Sequence, residues 1–237
     1  MKKIVILTGA GISVESGLAT FRSNNGLWNN YKVEDVATID AFERNLDVVH
    51  DFYNELRPIM RNAQPNYAHH AIAMLQSELK DAKINIITQN VDLLHEKARN
   101  KNVYHIHGQI DECVCMNCGQ TIKVSGDITS EDECPHCEII GMLKPNIVFF
   151  GETPKHLNKV EELLADCDTF IEIGTSGVVY PAAGFVQIAK QHGAKTYLFN
   201  LDKTDNSDAF DFHFYGKASE TFVRFAEDLL IKQDAQS

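Results

Sequence analysis

Short, mostly β-branched apolar runs punctuate the chain: KIVIL at 3–7, KINIIT at 83–88, NIVFF at 146–150, DTFIEIG at 168–174 and KTYLF at 195–199. Runs this short and this continuously apolar fit strands buried on both faces, as in a parallel sheet covered by helices. Between them, apolar positions recur with helical spacing over 40–57, 67–80, 155–166, 181–191 and 219–231. Strand–helix alternation implies βαβ units, hence an α/β fold with a doubly wound, Rossmann-like parallel sheet. The rhythm fails over 109–145, which is short in apolar periodicity and rich in Cys, Gly and acidic residues. That stretch reads as an inserted module.

Composition narrows the class. The 237 residues are 44% hydrophobic and 23% charged, enough for one large domain or one domain with an insert. A formal net charge of -11 argues against nonspecific nucleic-acid binding, which needs a basic face. No apolar run approaches the ~20 residues of a membrane helix. The start, MKKIVILTGAGIS, has a basic residue pair and an apolar stretch like a signal peptide. IVIL is too short for the ~7–15 apolar residues of such a segment and runs into a glycine motif, so it reads as a first strand of a cytoplasmic protein.

Five of the six cysteines crowd into residues 113–137. Cys115-x-x-Cys118 and Cys134-x-x-Cys137 have the spacing of a zinc ribbon, each pair forming a knuckle that points two sulfurs at one ion. Four thiolates close a tetrahedron, the mark of structural rather than catalytic zinc. Cys113 is left over, His136 reads as a solvated loop residue, and Cys167 as a small buried hydrophobe. His105 and His107 remain outside the metal site, on one face of a short strand VYHIHG. His107 stands apart because Gly108 follows it at a strand end.

The first apolar run leads into Gly9-Ala10-Gly11-Ile12-Ser13 and Ser16-Gly17. A strand, a glycine turn and a helix start suit a pyrophosphate, through close backbone approach and unpaired N–H groups. The third glycine of the dehydrogenase fingerprint is missing, Val14 standing in its place, and so is the acidic strand end that would hold a ribose. An ordinary nicotinamide oxidoreductase is therefore disfavoured. Other strands end in Gln89-Asn90-Val91-Asp92, Gly174-Thr175-Ser176 and Asn200-Leu201-Asp202. Carboxyl ends of strands are where open α/β sheets bind ligands, so these describe one nucleotide crevice.

GAGISVESGLATFR, TQNVDLLH, the His107-Gly108 pair, the two knuckles, KPNIVFFGE, GTSGVVYPAAG and NLD, in this order, resemble the sirtuin family of NAD-dependent protein deacylases over essentially the whole chain. The resemblance implies one catalytic domain over 1–237: a Rossmann-like core of 1–30, 64–108 and 146–237, a helical insertion at 31–63 and a zinc module at 109–145. It implies NAD, consumed as co-substrate, along Gly9, Ala10, Gly11, Ile12, Ser13, Ser16, Gly17, Thr20, Phe21, Arg22 and Trp28. Gln89, Asn90, Val91 and Asp92 would meet nicotinamide and its ribose. Gly174, Thr175, Ser176, Asn200, Leu201, Asp202 and Ala218 would meet the adenosine half. One structural zinc would sit on Cys115, Cys118, Cys134 and Cys137, and His107 would be the general base. An acyl-lysine peptide would add as a strand between Phe150-Gly151-Glu152 and Val178-Val179-Tyr180.

The products implied are nicotinamide, O-acyl-ADP-ribose and free lysine. Partners would be acyl-lysine proteins or peptides, with no nucleic acid and no membrane, and the chain a monomer. A mono-ADP-ribosyltransferase is the alternative use of the same NAD cleavage; His107 favours deacylation. In the branch that removes acidic acyl groups, a Tyr and an Arg three residues later grip the acyl carboxylate. Here Tyr53 is followed at that spacing by Leu56, with Arg57 one residue late and Pro58 after it. Either Pro58 swings Arg57 out of helical register and back towards the pocket, or Leu56 leaves the pocket apolar. Acetyl, succinyl and malonyl groups all stay open.

Overall fold

The computed structural model describes residues 1–20, 27–28 and 31–234. The chain runs through β1 (Lys2–Thr8), a 3-10 stretch (Ala10–Ser16), β2 (Leu27–Trp28) and β3 (Tyr31–Lys32). Helices α1 (Val33–Val36), α2 (Ile39–Arg44), α3 (Leu46–Asn62) and α4 (Tyr67–Glu78) then precede β4 (Ala82–Thr88). Next come α5 (Leu94–Lys97), β5 (Val103–His105), β6 (Gly108–Cys115), β7 (Thr121–Lys123) and β8 (Leu143–Ile147). The chain finishes with α6 (Leu157–Ala165), β9 (Thr169–Ile173), α7 (Phe185–Gln191), β10 (Lys195–Asn200), β11 (Phe212–Tyr215) and α8 (Ala218–Asp234).

Among the described residues, six parallel strands form the main sheet in the order β11-β10-β9-β1-β4-β5. Chain order reverses at β1, the switch point that leaves a crevice at the carboxyl ends of β1 and β9. Alternation along β1 sends Val5 and Leu7 into one core with α6 and α7, and Ile4 and Ile6 into the opposite core with α4 and α8. Both faces are thus covered, which is why the strand reads as one apolar run. A third core joins α2 and α3 to Leu18, Val91, Ile110 and Phe149. No helix of the described residues is long and apolar enough to cross a membrane.

The run NIVFF does not join the parallel sheet. Its strand is β8, ending at Ile147, and it pairs antiparallel with β6 in a three-stranded sheet β7-β6-β8. Burial on both sides, by the α3 core at Ile147 and the cysteine core at Leu143, gives the apolar signal without naming the strand's partner.

The helix expected over 40–57 is two helices. Asn45 leaves helical geometry with φ at -152°, and its side chain accepts from the Val48 N–H, capping a new start. Pro58, expected to disturb Arg57, lies inside α3 on its exposed side. Burial of Phe52, Tyr53, Leu56 and Met60 outweighs the one backbone bond that proline removes, so Arg57 stays in helical register. The strand VYHIHG stops at His105, with residues 106–107 in a turn before β6. β11 is an edge strand with half-exposed Phe212 and Tyr215, too short and too broken by Asp211 and His213 to register as an apolar run.

Candidate active site

The loop after β1 is interlocked with the loop after β9. Gly9 N–H donates to the Ile173 carbonyl at 3.0 Å and Gly11 N–H to the Gly174 carbonyl at 2.8 Å. A Cβ on Gly11 would lie 2.6 Å from Gly174 Cα, and one on Gly174, whose φ is +64°, would lie 2.4 Å from Ile12 N. No other residue fits these positions. Gly17, with φ at 84°, ends the 3-10 stretch by donating to Ser13 and Val14 carbonyls. The helix expected after the glycine turn is therefore this seven-residue 3-10 segment.

Polar side chains from β4's end grip that loop. Asn90 Nδ2 donates to Gly9 O and to Ser13 Oγ, both at 3.1 Å, and Ser13 Oγ donates to Asp92 Oδ2 at 2.8 Å. Asp92 Oδ1 accepts from Leu94 N at 3.0 Å. Burial raises the Asp92 pKa above its ordinary value, with the bonds from Leu94 and Ser13 opposing it. Asn90, Asp92, Gly9 and Ser13 thus form one connected group, and Gln89 is tied to β1 by donating its N–H to the Thr8 carbonyl at 2.9 Å. Val91 is core, its carbonyl taking the Ile110 N–H.

His107 lies just beyond. Its Nδ1 is 3.0 Å from the Gln89 carbonyl oxygen, which can only accept, so Nδ1 carries the hydrogen and Nε2 is the basic nitrogen. Burial lowers its pKa, and the Gln89 bond pulls partly back, so the ring is neutral at pH 7.

The far end of the crevice is built from β9 and β10. Asn200 Nδ2 donates to Thr175 O at 2.6 Å, and the Thr175 hydroxyl turns inward to Glu172. Ser176, Leu201 and Asp202 are exposed on the rim. Ala218 opens α8, and the next residue, Ser219, donates through N and Oγ to the Glu15 carboxylate at 3.1 and 2.6 Å, tying α8 to the glycine loop. Ala10, Ser16 and Thr20 are half-buried along that loop, while Ile12 is core. Phe21 and Arg22 lie outside the described residues, as does the Trp28 side chain.

Phe150, half-exposed, donates its N–H to Ala37 O at 2.8 Å, and Glu152 Oε2 takes Phe149 N at 2.6 Å and Lys144 Nζ at 2.9 Å. Gly151 between them has φ at +90°. Val178 and Val179 are half-buried and Tyr180 is exposed. Tyr53 is buried against Phe149, ring centroids 5.9 Å apart and stacked.

Arg57 is not brought to this end. It is 1% exposed, with Nε on Ile110 O at 3.2 Å and Nη1 on Asn54 Oδ1 at 2.8 Å and Gly126 O at 3.1 Å. In helical register residue 57 lies one turn on from Tyr53, but its guanidinium is committed to Ile110 O, Asn54 and the Gly126 carbonyl of the zinc-module loop.

The sulfurs of Cys115, Cys118, Cys134 and Cys137 lie within 4.8 Å of one another, with Cys115–Cys137 at 3.7 Å and Cys118–Cys134 at 3.8 Å. A tetrahedron with Zn–S bonds of about 2.3 Å has edges of about 3.8 Å, so the four are positioned to bind a zinc ion. Cys113 packs in the core beneath them with Val124, Ile128 and Leu143, and burial pushes its thiol up to about 11. That is the role of the leftover cysteine.

Supports that the sequence reading passed over include Asn66, whose Nδ2 holds Ile12 O at 2.7 Å and Ser16 Oγ at 3.0 Å. The signal was Asn66 three residues before His69, a helix-capping arrangement at the start of α4. Glu15 and Glu96 gave no such signal because their partners Ser219 and His105 stand apart from them in sequence, and Glu172, though close to its partner Thr175, is enclosed in an apolar strand run.

Known proteins bear on this arrangement. The Sir2 family profile matches residues 9–181. An NAD-dependent protein deacylase of Leishmania major is 48% identical over 231 residues, covering 96% of this chain and 95% of that protein. A protein of the same description from Bdellovibrio bacteriovorus is 47% identical over 231 residues, covering 97% of each. Among solved structures, a Sir2 homologue bound to NAD is similar at TM-score 0.87 and 38% identity, covering 97% of this chain and 91% of that one. Another, with ADP-ribose, reaches TM-score 0.88 at 38% identity, covering 97% and 94%. With a profile spanning most of the chain and relatives near half identity end to end, this chain belongs to the Sir2, or sirtuin, family.

Proposed function

We propose that this chain is an NAD-dependent protein-lysine deacylase, acting on acyl-lysine proteins as a cytoplasmic monomer. The observation that carries the reading is His107: a neutral imidazole, oriented through Nδ1 by the Gln89 carbonyl, beside the Asn90–Ser13–Asp92 group at the strand ends. The crevice suits a dinucleotide, because interlocked glycines leave backbone at its floor and polar groups stand at both ends. Residues 9–17 would line the pyrophosphate, Gln89, Asn90 and Asp92 the nicotinamide end, and Thr175, Ser176, Asn200, Asp202 and Ala218 the adenosine end. NAD supplies an anomeric carbon bearing nicotinamide as a leaving group.

The chain's own tasks follow from its chemistry. Asn90 and Asp92, held rigid by Ser13 and the Gly9 carbonyl, fix where the leaving group sits. His107 Nε2 accepts a proton from a ribose hydroxyl and returns it later, a step served by a pKa below the working pH. Phe150–Glu152 and Val178–Tyr180 offer backbone for a peptide added as a strand, and the Lys144–Glu152 pair stiffens one side of that groove. Zinc on the four cysteines is structural, since four thiolates leave no open coordination position.

For the acyl group, Leu56, Tyr53 and Phe149 belong to one apolar core and Arg57 is spent on main-chain oxygens. This supports neutral acyl groups, acetyl first, over succinyl or malonyl. The test is incubation with NAD and acetyl-, succinyl- and malonyl-lysine peptides, with products identified by mass. Peptide-dependent nicotinamide and O-acyl-ADP-ribose, greatest with acetyl, are expected. Labelled protein without peptide turnover would instead make the chain an ADP-ribosyltransferase.

A further inference from the structure

His105 has no part in the chemistry above. It closes β5, 7% exposed, with both ring nitrogens facing acceptors: Nδ1 is 3.0 Å from Asn90 O and Nε2 is 2.9 Å from Glu96 Oε1. A carbonyl oxygen and an ionised carboxylate both only accept, so both nitrogens must carry hydrogen, whereas a neutral imidazole has one hydrogen to give. The arrangement therefore asks for an imidazolium on His105. Burial works against that charge, but Glu96, the Asn90 carbonyl and Asp92 outweigh it and leave the pKa above the ordinary 6.5.

The other charges around the pair agree. Glu96 is raised by burial, yet its bond to His105 brings it below its ordinary value, with Lys123 assisting. His95 and His156 are lowered first by burial, and the charge on His105 contributes. Two residues on, His107 needs one hydrogen and His105 needs two, although both bond successive carbonyls, Gln89 O and Asn90 O.

Asn90 is held at three of its polar groups: its N–H donates to Thr88 Oγ1 at 3.1 Å, its Nδ2 donates to Gly9 O and Ser13 Oγ, and its backbone carbonyl accepts from His105. We propose that His105 is a positively charged positioning residue, clamped between Glu96 and the Asn90 carbonyl so that the 89–92 segment keeps Asn90, Asp92 and the His107-orienting Gln89 carbonyl in place. When the ring loses its charge its bond to the Asn90 carbonyl is no longer charge-assisted, and the segment loosens. The consequence for catalysis, though not the clamp itself, rests on the deacylase reading.

Glu96→Gln keeps the shape and removes the charge. Long-range nitrogen–proton NMR on the full, zinc-loaded chain at about pH 7.5 should show two protonated nitrogens on His105 and one on His107. In the variant the His105 midpoint should fall by about one pH unit or more. Deuterium exchange of residues 89–92, relative to wild type, should quicken with rising pH, and KM for NAD should rise several-fold on the alkaline side while matching wild type on the acid side. A packing role alone would give the same defect at every pH. A neutral His105 in the wild type near neutrality, or a pH-independent defect, overturns the proposal. A wild-type chain with the imidazolium and the pH-dependent exchange but no peptide-dependent nicotinamide release supports the clamp and overturns the deacylase reading.

Discussion

Glu172 lies within β9, fully buried and in register with Leu7 of β1 and Leu198 of β10. Its Oε1 accepts from Thr175 Oγ1 and, at 3.3 Å, from Asn206 Nδ2, while buried Oε2 has no hydrogen-bond partner among the described residues. Burial lifts its pKa from the ordinary 4.5 to about 7, the two donors pulling only partly back. A carboxyl that holds its proton more tightly when folded favours folding fully below its unfolded value. That advantage is lost as pH rises from there through the folded value. The interval corresponds to about 3 kcal/mol, at about 1.4 kcal/mol per pH unit.

Glu172→Gln keeps the Oε1 acceptor and cannot ionise. The stability of the variant minus that of wild type, from urea unfolding, should therefore rise by about 2.5 kcal/mol between about pH 5 and pH 8. Every other titrating group is common to both proteins and cancels in the difference. The new Nε2 is a buried donor without an acceptor and costs about 1–3 kcal/mol, but equally at each pH, so the slope is the test and the offset is not. A signed difference that stays flat or falls as pH rises refutes the reasoning.

His107→Ala should lower deacylation by at least about a hundredfold while leaving the melting curve in place; a variant within tenfold of wild type would remove His107 as the base. In wild type, kcat/KM for NAD should fall on the acid side with an apparent pKa below 6.5, because burial lowers His107, and a limb above that value would contradict it. Arg57→Leu should cost about 3 kcal/mol of stability, leaving Ile110 O and Gly126 O unpaired, with little change in the succinyl-to-acetyl rate ratio; a stable variant whose succinyl activity collapses would restore Arg57 to acyl recognition. Cys134→Ser should lose the zinc, measured by metal analysis, and most of its soluble yield, whereas a stable zinc-loaded variant would refute the ligand set.

What the sequence made legible was whatever burial or spacing writes locally. The strand runs at 3–7, 83–88, 168–174 and 195–199 appear because both sheet faces are covered, and C-x-x-C repeats because a knuckle needs it. What stayed hidden depends on partners distant in the chain. NIVFF carried burial but not its pairing with β6, and Asn45 looked like any helical residue until its side chain capped α3. His105 and His107 look alike at a spacing of two; only Glu96 and the ends of β4 and β5 separate the charged ring from the neutral one.

The zinc module and the crevice meet at Gly108. A Cβ at Gly108 would lie 1.8 Å from Asn146 O, so β6 and β8 touch backbone to backbone immediately after His107. From there β6 runs to Cys115, while Ile110 N–H holds Val91 O, between Asn90 and Asp92. Arg57 and Arg61 fasten the module's loop to α3 through carbonyls of Ile110, Gly126, Val124 and Ser125. Loosening the knuckles would free β6 at its Cys115 end, while pairing with β8 and the Ile110–Val91 bond hold the end beside His107. A zinc ion on the knuckles would bear on His107 through β6, which begins at the next residue and ends on Cys115.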